Sequence, residues 1–152
     1  MDKTLARLVD YAAGFPAQLP DATQHECKRR IIDTFACAFG GYRDPVSVIA
    51  REFTGRHALS AGPVVWGSSR PCTEEDAAFA NGVMLRVLDL SDTYLGKSRG
   101  HPSDVMAGIM AVAEAERSAG AQVIRAVTLA YDIYCSFCDA LDINTMGWDL
   151  PV

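Results

Sequence analysis

Long apolar runs are missing from the sequence. The longest, 105–113 with one glycine counted in, has nine residues, whereas a membrane-spanning helix needs about 20. The first fifteen residues interleave Asp2, Lys3 and Asp10 with apolar positions, so they contain no continuous apolar segment of an export signal. We therefore expect no membrane partner and a cytoplasmic location.

A basic stripe is also missing. The 152 residues include 14 Lys and Arg against 19 Asp and Glu, a formal net charge of −5. Binding to a nucleic-acid backbone needs a clustered positive surface, so we expect no nucleic-acid partner. A small anionic substrate needs only a few local cations and is compatible with this charge.

Metal-binding clusters and phosphate-binding loops are missing as well. No His, Cys and Asp residues have metal-ligand spacing, and Gly96-Lys97-Ser98 has the end of a P-loop without the earlier glycine or the preceding strand.

Cys135 and Cys138 have Cys-x-x-Cys spacing in an apolar helical context. That context favours buried, reduced thiols over a redox pair.

The sequence does contain several segments with the apolar periodicity of a helix. Thr73 and Ser103 are predicted N-caps of the fourth and fifth helices. Only Pro63-Val-Val-Trp-Gly67 is typical of a strand, and it could equally be an extended connector. The periodicity predicts an all-α fold with five or six helices and at most one strand. The predicted helices cover 3–14, 21–40, 45 to about 56, 73 to the polar stretch that follows, 103–118 and 121 to about 141. Because the sequence ends in Trp148-Asp-Leu-Pro-Val152 without a closing cap or a polar tail, we expect 1–152 to be a partial helical domain.

The densest group of polar and ionisable residues lies between the fourth and fifth predicted helices. A polar loop held between two apolar helices is a common way to build a small-molecule site. Eight such residues fall within sixteen positions: Asp89, Asp92, Thr93, Tyr94, Lys97, Arg99, His101 and Asp104.

This stretch predicts a candidate catalytic site. If the fourth helix continues past Asp89, then Asp89 and Thr93 share one face of it. His101 lies just before the N-terminus of the fifth predicted helix, and a helix N-terminus attracts a carboxylate. His101 is then the acid/base candidate, Asp89 and Thr93 are orienting groups, and Lys97 and Arg99 are substrate-binding cations. Spacing alone favours the alternative, in which the stretch is a helix stop and a surface loop.

Three short motifs in this region resemble the MmgE/PrpD family. They are Ala80-Asn-Gly-Val, Leu88-Asp-Leu-Ser-Asp-Thr and Gly100-His-Pro-Ser-Asp. The likeness extends over nearly the whole chain. It implies a fold with a large helical domain and a smaller α/β lid domain, of which this chain resembles the first portion of the helical domain, without the lid.

The resemblance also implies roles for individual residues. Asp89, Thr93 and His101 match active-site positions of the family. Two positions depart from its pattern, since Arg86 stands where many members have His and Ser91 where many have Asp or Asn.

The activity implied by this resemblance is that of a hydro-lyase acting on small di- or tricarboxylic acids. The motifs favour the 2-methylcitrate dehydratase branch, which serves propionate catabolism. The resemblance implies no metal or organic cofactor, and it implies a homo-oligomer such as a dimer, or a complementing chain. The family's second active-site histidine and its substrate-facing lysines have no counterpart here. The alternative is therefore a truncated, catalytically inactive homologue or an assembly subunit.

Overall fold

The computed structural model describes residues 2–143 and 145–148. Across these residues the chain is mainly helical, so the predicted all-α fold is confirmed. The abrupt chain end expected at 149–152 lies outside the described residues. The helices are α1 (Lys3–Gly14), α2 (Asp21–Gly40), α3 (Pro45–Thr54), α4 (Glu74–Arg86), α5 (Met106–Ala115) and α6 (Gly120–Ala140). Two short 3-10 turns occupy Gly55–His57 and Pro102–Val105.

Side-chain caps explain where several helices begin. The Thr73 hydroxyl accepts a hydrogen bond from Asp76 N at 3.2 Å, which confirms the predicted cap of α4. Asp44 caps α3 in the same way by accepting from Val46 N at 2.9 Å. Each cap satisfies a backbone donor that has no partner within the helix.

Helix α4 lies at the centre of the fold and packs against α2, α3 and α5. Its inner face combines small and large side chains, with Ala77, Ala80, Met84 and Leu85 all at 0% exposure. The alanines allow neighbouring helices to approach closely, while the larger side chains fill the core. A second buried cluster, Cys27, Met106 and Val127, joins α2, α5 and α6.

The segment predicted as strand or connector is an extended connector with one isolated antiparallel bridge, between Val64 and Pro71. Asn81 of α4 attaches this connector to the core. Its buried side-chain oxygen accepts from Trp66 N at 2.8 Å, and its amide nitrogen donates to Val64 O at 3.5 Å. These bonds satisfy backbone groups that would otherwise be buried without a partner.

The prediction of at most one strand was wrong. Tyr94–Leu95 and Arg99–Gly100 form a short antiparallel hairpin, with Tyr94 opposite Gly100 and Leu95 opposite Arg99. Glycines such as Gly96 and Gly100 break helices and are typical of irregular loops. In the structure they instead permit a tight hairpin, β1 and β2, that packs against α6.

Apolar side chains on the outer faces of α2 and α3 remain open to solvent. The most exposed are Ile32 at 69% and Ile49 at 65%, and the same faces carry Phe39, Val46 and Phe53. No helix within the described ranges is long and apolar enough to cross a membrane.

We expect Gly41→Ala to destabilise the fold. A Cβ atom at Gly41 would lie 2.5 Å from a Val87 methyl carbon and 2.6 Å from Met84 O. Such overpacking costs about 1–3 kcal/mol of unfolding free energy. Urea denaturation measures this change.

The matched control is Gly108→Ala on α5, where a Cβ meets nothing within 4 Å. Alanine suits a helix interior better than glycine, so this variant should gain about 0.5–1 kcal/mol. Equal effects of the two substitutions would contradict the close contact between α2 and α4.

Candidate active site

The polar loop begins where α4 ends, at Arg86. Asp89 has a left-handed backbone, with φ of 51°, so the helix does not continue past it. The expectation that Asp89 and Thr93 share a helix face was therefore wrong. The Asp89 side chain is 76% exposed and accepts from Arg86 Nη2 at 3.1 Å.

Asp92 holds the loop to the rest of the domain. Its Oδ1 accepts from Ser103 N at 3.0 Å, and its Oδ2 accepts from the Tyr131 hydroxyl of α6 at 2.9 Å. Ser103 was predicted to be the N-cap of α5, and this was wrong. Ser103 lies inside the 3-10 turn, the Asp92 carboxylate takes its N–H from eleven positions earlier, and α5 itself begins at Met106.

The hydrogen bond to Asp92 places the Tyr131 hydroxyl beside a negatively charged carboxylate. Burial, together with the charge of Asp92, raises the pKa of Tyr131 above its usual value near 10. The Tyr131 side chain therefore keeps its proton, and with it the hydrogen bond to Asp92, over the whole physiological pH range.

His101 is held in one orientation by the loop backbone. Its Nδ1 lies 2.7 Å from Asp92 O. Because a carbonyl oxygen only accepts, Nδ1 must carry the proton, and in the neutral ring the lone pair is then on Nε2. Thr93 Oγ1 lies 3.5 Å from the same Nδ1, and the His101 backbone N–H donates to the Tyr134 hydroxyl at 3.1 Å. Two of the predicted site residues, Thr93 and His101, are thus brought together.

Arg86 connects both ends of the polar loop. Its Nη1 donates to Ser91 Oγ at 2.6 Å and its Nη2 to Asp89 Oδ1 at 3.1 Å. Its Nε lies 3.2 Å from Asp104 Oδ1, an ion pair by distance without hydrogen-bond geometry. The guanidinium therefore fixes Asp89, Ser91 and Asp104 relative to one another.

Asp104 is a partly buried carboxyl group close to the candidate site. Burial raises its pKa, and the nearby carboxylates of Asp92 and Asp89 act in the same direction. The positive charge of Arg86, and that of His101 when protonated, oppose this shift. Sequence reasoning missed Arg86, Asp92 and Asp104 as site residues. The sequence did contain a signal for them: Arg86 stands where many family members have His, and it puts a cation in the same stretch as three aspartates.

The turn of the hairpin is anchored through Ser98, which is completely buried. Ser98 N donates to Cys138 O at 2.9 Å, and Ser98 Oγ accepts from Ile143 N at 3.0 Å and donates to Leu141 O. Gly96 allows this approach, because a Cβ there would lie 2.5 Å from Asp139 Oδ1. The hairpin is thus attached to the C-terminal end of α6.

Lys97 and Arg99 flank Ser98 and are exposed on the hairpin. Neither forms an ion pair with a carboxylate of residues 2–143 or 145–148. Both cations are therefore available to a ligand, but no contact among the described residues joins them to His101.

A cavity of about 540 Å³ lies beside the loop, between α2 and α6. This volume is within the range of small-molecule pockets. Thr93 belongs both to the cavity wall and to the surroundings of His101. Burial raises the pKa of Cys135, another wall residue, to about 11, so its thiol is not a nucleophile at neutral pH. Polar or ionisable side chains along the wall include Glu26, Arg30, Asp92, Thr93, Tyr94 and Tyr131.

The structure is thus an all-α domain with an acid/base candidate histidine in an anchored loop beside a cavity of ligand size. Residues 6–152 match the MmgE/PrpD N-terminal domain, and the chain belongs to the MmgE/PrpD family.

Several curated relatives give this family membership an enzymatic context. The chain is 30% identical to 2-methylcitrate dehydratase of Escherichia coli K12 over 97% of its length and 33% of the relative's. It is 31% identical to 2-methylcitrate dehydratase of Cupriavidus necator over 74% of its length and 23% of the relative's. It is 33% identical to human cis-aconitate decarboxylase over 64% of its length and 20% of the relative's. The chain therefore spans a third or less of these relatives.

We expect Asp92→Ala to destabilise the domain by about 2–4 kcal/mol, because it removes two hydrogen bonds to a charged acceptor and leaves Ser103 N without a partner. Asp92→Asn is the control: its amide oxygen can accept from Ser103, and its amide nitrogen can donate to Tyr131. Chemical denaturation compares the two variants. Equal losses would contradict the anchoring role.

Tyr131 should make the folded state sensitive to alkaline pH. Its pKa is raised in the folded state, so its contribution to stability is complete below about pH 10 and declines as pH rises further. One proton changes the unfolding free energy by at most about 1.4 kcal/mol per pH unit. Tyr131→Phe should flatten the decline measured by denaturation above pH 10, and an unchanged slope would contradict the assignment.

Proposed function

We propose that this chain forms the acid/base side of a hydro-lyase site for small di- or tricarboxylic acids, with 2-methylcitrate as the first substrate to test. One observation supports the proposal most directly. His101 is held with Nδ1 on a backbone carbonyl, which leaves Nε2 as the proton acceptor, and Thr93 lies beside it. The names of the relatives at about 30% identity point to the same chemistry.

Dehydration of a β-hydroxy carboxylic acid needs a base and an acid. The base removes a proton from the carbon next to a carboxylate, the C–O bond breaks, and the hydroxyl leaves as water after it is protonated. Nε2 of His101 is suited to one of these proton transfers, because an imidazole nitrogen can accept a proton and donate it again. The bond to Asp92 O keeps the same tautomer available at each turnover.

The carboxylates of the substrate need cations as well. Lys97 and Arg99 are proposed to supply them from the hairpin, where neither is occupied by a described carboxylate. Thr93, whose Oγ1 lies 3.5 Å from His101 Nδ1, is proposed to orient either the imidazole or a substrate oxygen. Asp89 is proposed to act through Arg86, from which it accepts a hydrogen bond, as an orienting group at the start of the loop.

The remaining site groups are proposed to come from outside residues 1–152. The relatives are at least three times longer than the matched region. Their remaining length, a second copy of the chain in a dimer, or a complementing chain would supply the second acid/base group and further cations.

We expect His101→Gln to lower turnover of 2-methylcitrate by roughly 10²–10⁴-fold in the complete enzyme, with little change in stability. Glutamine keeps a hydrogen-bond donor toward Asp92 O but cannot carry the proton between carbon and solvent. Formation of the conjugated alkene, followed by its ultraviolet absorbance, measures the rate.

The matched control is His57→Gln, at an exposed histidine that contacts Asp76 across the fold. This variant should leave the rate within about twofold. Unchanged turnover with a lowered denaturation midpoint in His101→Gln would assign His101 a structural role and contradict the proposal. Absence of turnover in the complete, folded parent protein would favour the inactive-homologue alternative.

A further inference from the structure

A second cavity, of about 490 Å³, lies between α3 and the connector that follows it. It shares no wall residue with the cavity beside His101. Apolar walls come from Val48, Val65 and Pro71, while the charged residues of the wall are Arg51, Glu52, Arg56 and Arg70.

Arg51 is a partly buried cation that is already held in place. Its guanidinium lies 3.7 Å from the centroid of the Tyr42 ring, and its Nη1 donates to Tyr42 O. No carboxylate within 2–143 or 145–148 lies within ion-pair distance of it. Buried charges are usually paired, so a fixed guanidinium without a counter-ion favours binding of an external anion.

Arg56 and Arg70 add charge from two sides of the cavity. Arg56 lies in the 3-10 turn after α3, and Arg70 lies near the end of the connector. Neither forms an ion pair with the carboxylates of the described part of the chain. With Glu52 as the one acidic wall residue, three arginines leave a formal charge of +2 at this cavity, in a chain whose net charge is −5.

We infer that this cavity binds a small organic polyanion through Arg51, Arg56 and Arg70, at a site separate from the proposed lyase site. Guanidinium groups present planar pairs of donors that match both phosphate and carboxylate oxygens. The apolar walls would contact the hydrocarbon part of the ligand.

Isothermal titration calorimetry of the full chain at low ionic strength tests this inference. The probes are inorganic pyrophosphate and tricarballylate, a tricarboxylate without a hydroxyl to eliminate. At least one probe should bind, and the tighter of the two shows whether phosphate or carboxylate groups are preferred. Arg56→Gln and Arg70→Gln should each weaken its binding roughly tenfold or more, since each removes charge-assisted hydrogen bonds.

Arg7→Gln is the matched control, because it removes the same charge from an exposed position on α1. Arg7→Gln and His101→Gln should both leave the dissociation constant of the tighter probe nearly unchanged. An unchanged constant in His101→Gln shows that the probe binds at this cavity and not at the lyase site. Circular dichroism confirms that each variant is folded. The inference is overturned if neither probe binds, if the Arg56 and Arg70 variants weaken binding no more than Arg7→Gln does, or if His101→Gln weakens it equally.

Discussion

The candidate site depends on one carboxylate, that of Asp92. Its two oxygens accept hydrogen bonds from Ser103 N in the 3-10 turn before α5 and from the Tyr131 hydroxyl of α6. The backbone carbonyl of Asp92 accepts a hydrogen bond from the imidazole of His101. A loop that crosses between helices has few backbone partners of its own. A single acidic residue that bonds in three directions therefore determines where the loop lies and which nitrogen of the histidine is available.

The other contacts of the loop extend this arrangement to both of its ends. At the end of α4, Arg86 donates hydrogen bonds to the carboxylate of Asp89 and to the hydroxyl of Ser91. Ser98 attaches the hairpin to the C-terminal end of α6 through its backbone and its hydroxyl. Acid/base catalysis benefits when its groups are oriented before the substrate arrives. The polar loop meets that requirement through contacts with helices, although its own regular structure includes only a short hairpin and a 3-10 turn.

The distribution of charge suggests two different environments on one small domain. The loop region combines a histidine, three aspartates and Arg86 with the exposed cations Lys97 and Arg99, and the aspartates and Arg86 already have partners. The cavity next to α3 has three arginines and one glutamate, and none of them forms an ion pair with another of the described residues. An acidic net charge thus coexists with a local cationic pocket, because electrostatic interactions in water weaken over about 10 Å at moderate salt.

The sequence by itself determined the helices, the Thr73 cap and the family, because helical periodicity, capping and short motifs are local signals. It also drew attention to the loop and to His101. Only the tertiary structure decided that α4 stops before Asp89, that Asp92 rather than Ser103 caps the turn before α5, and that a hairpin forms around Ser98. The last two of these depend on partners far away in sequence, Tyr131 for Asp92 and Cys138 for Ser98, and local patterns contain no information about such contacts.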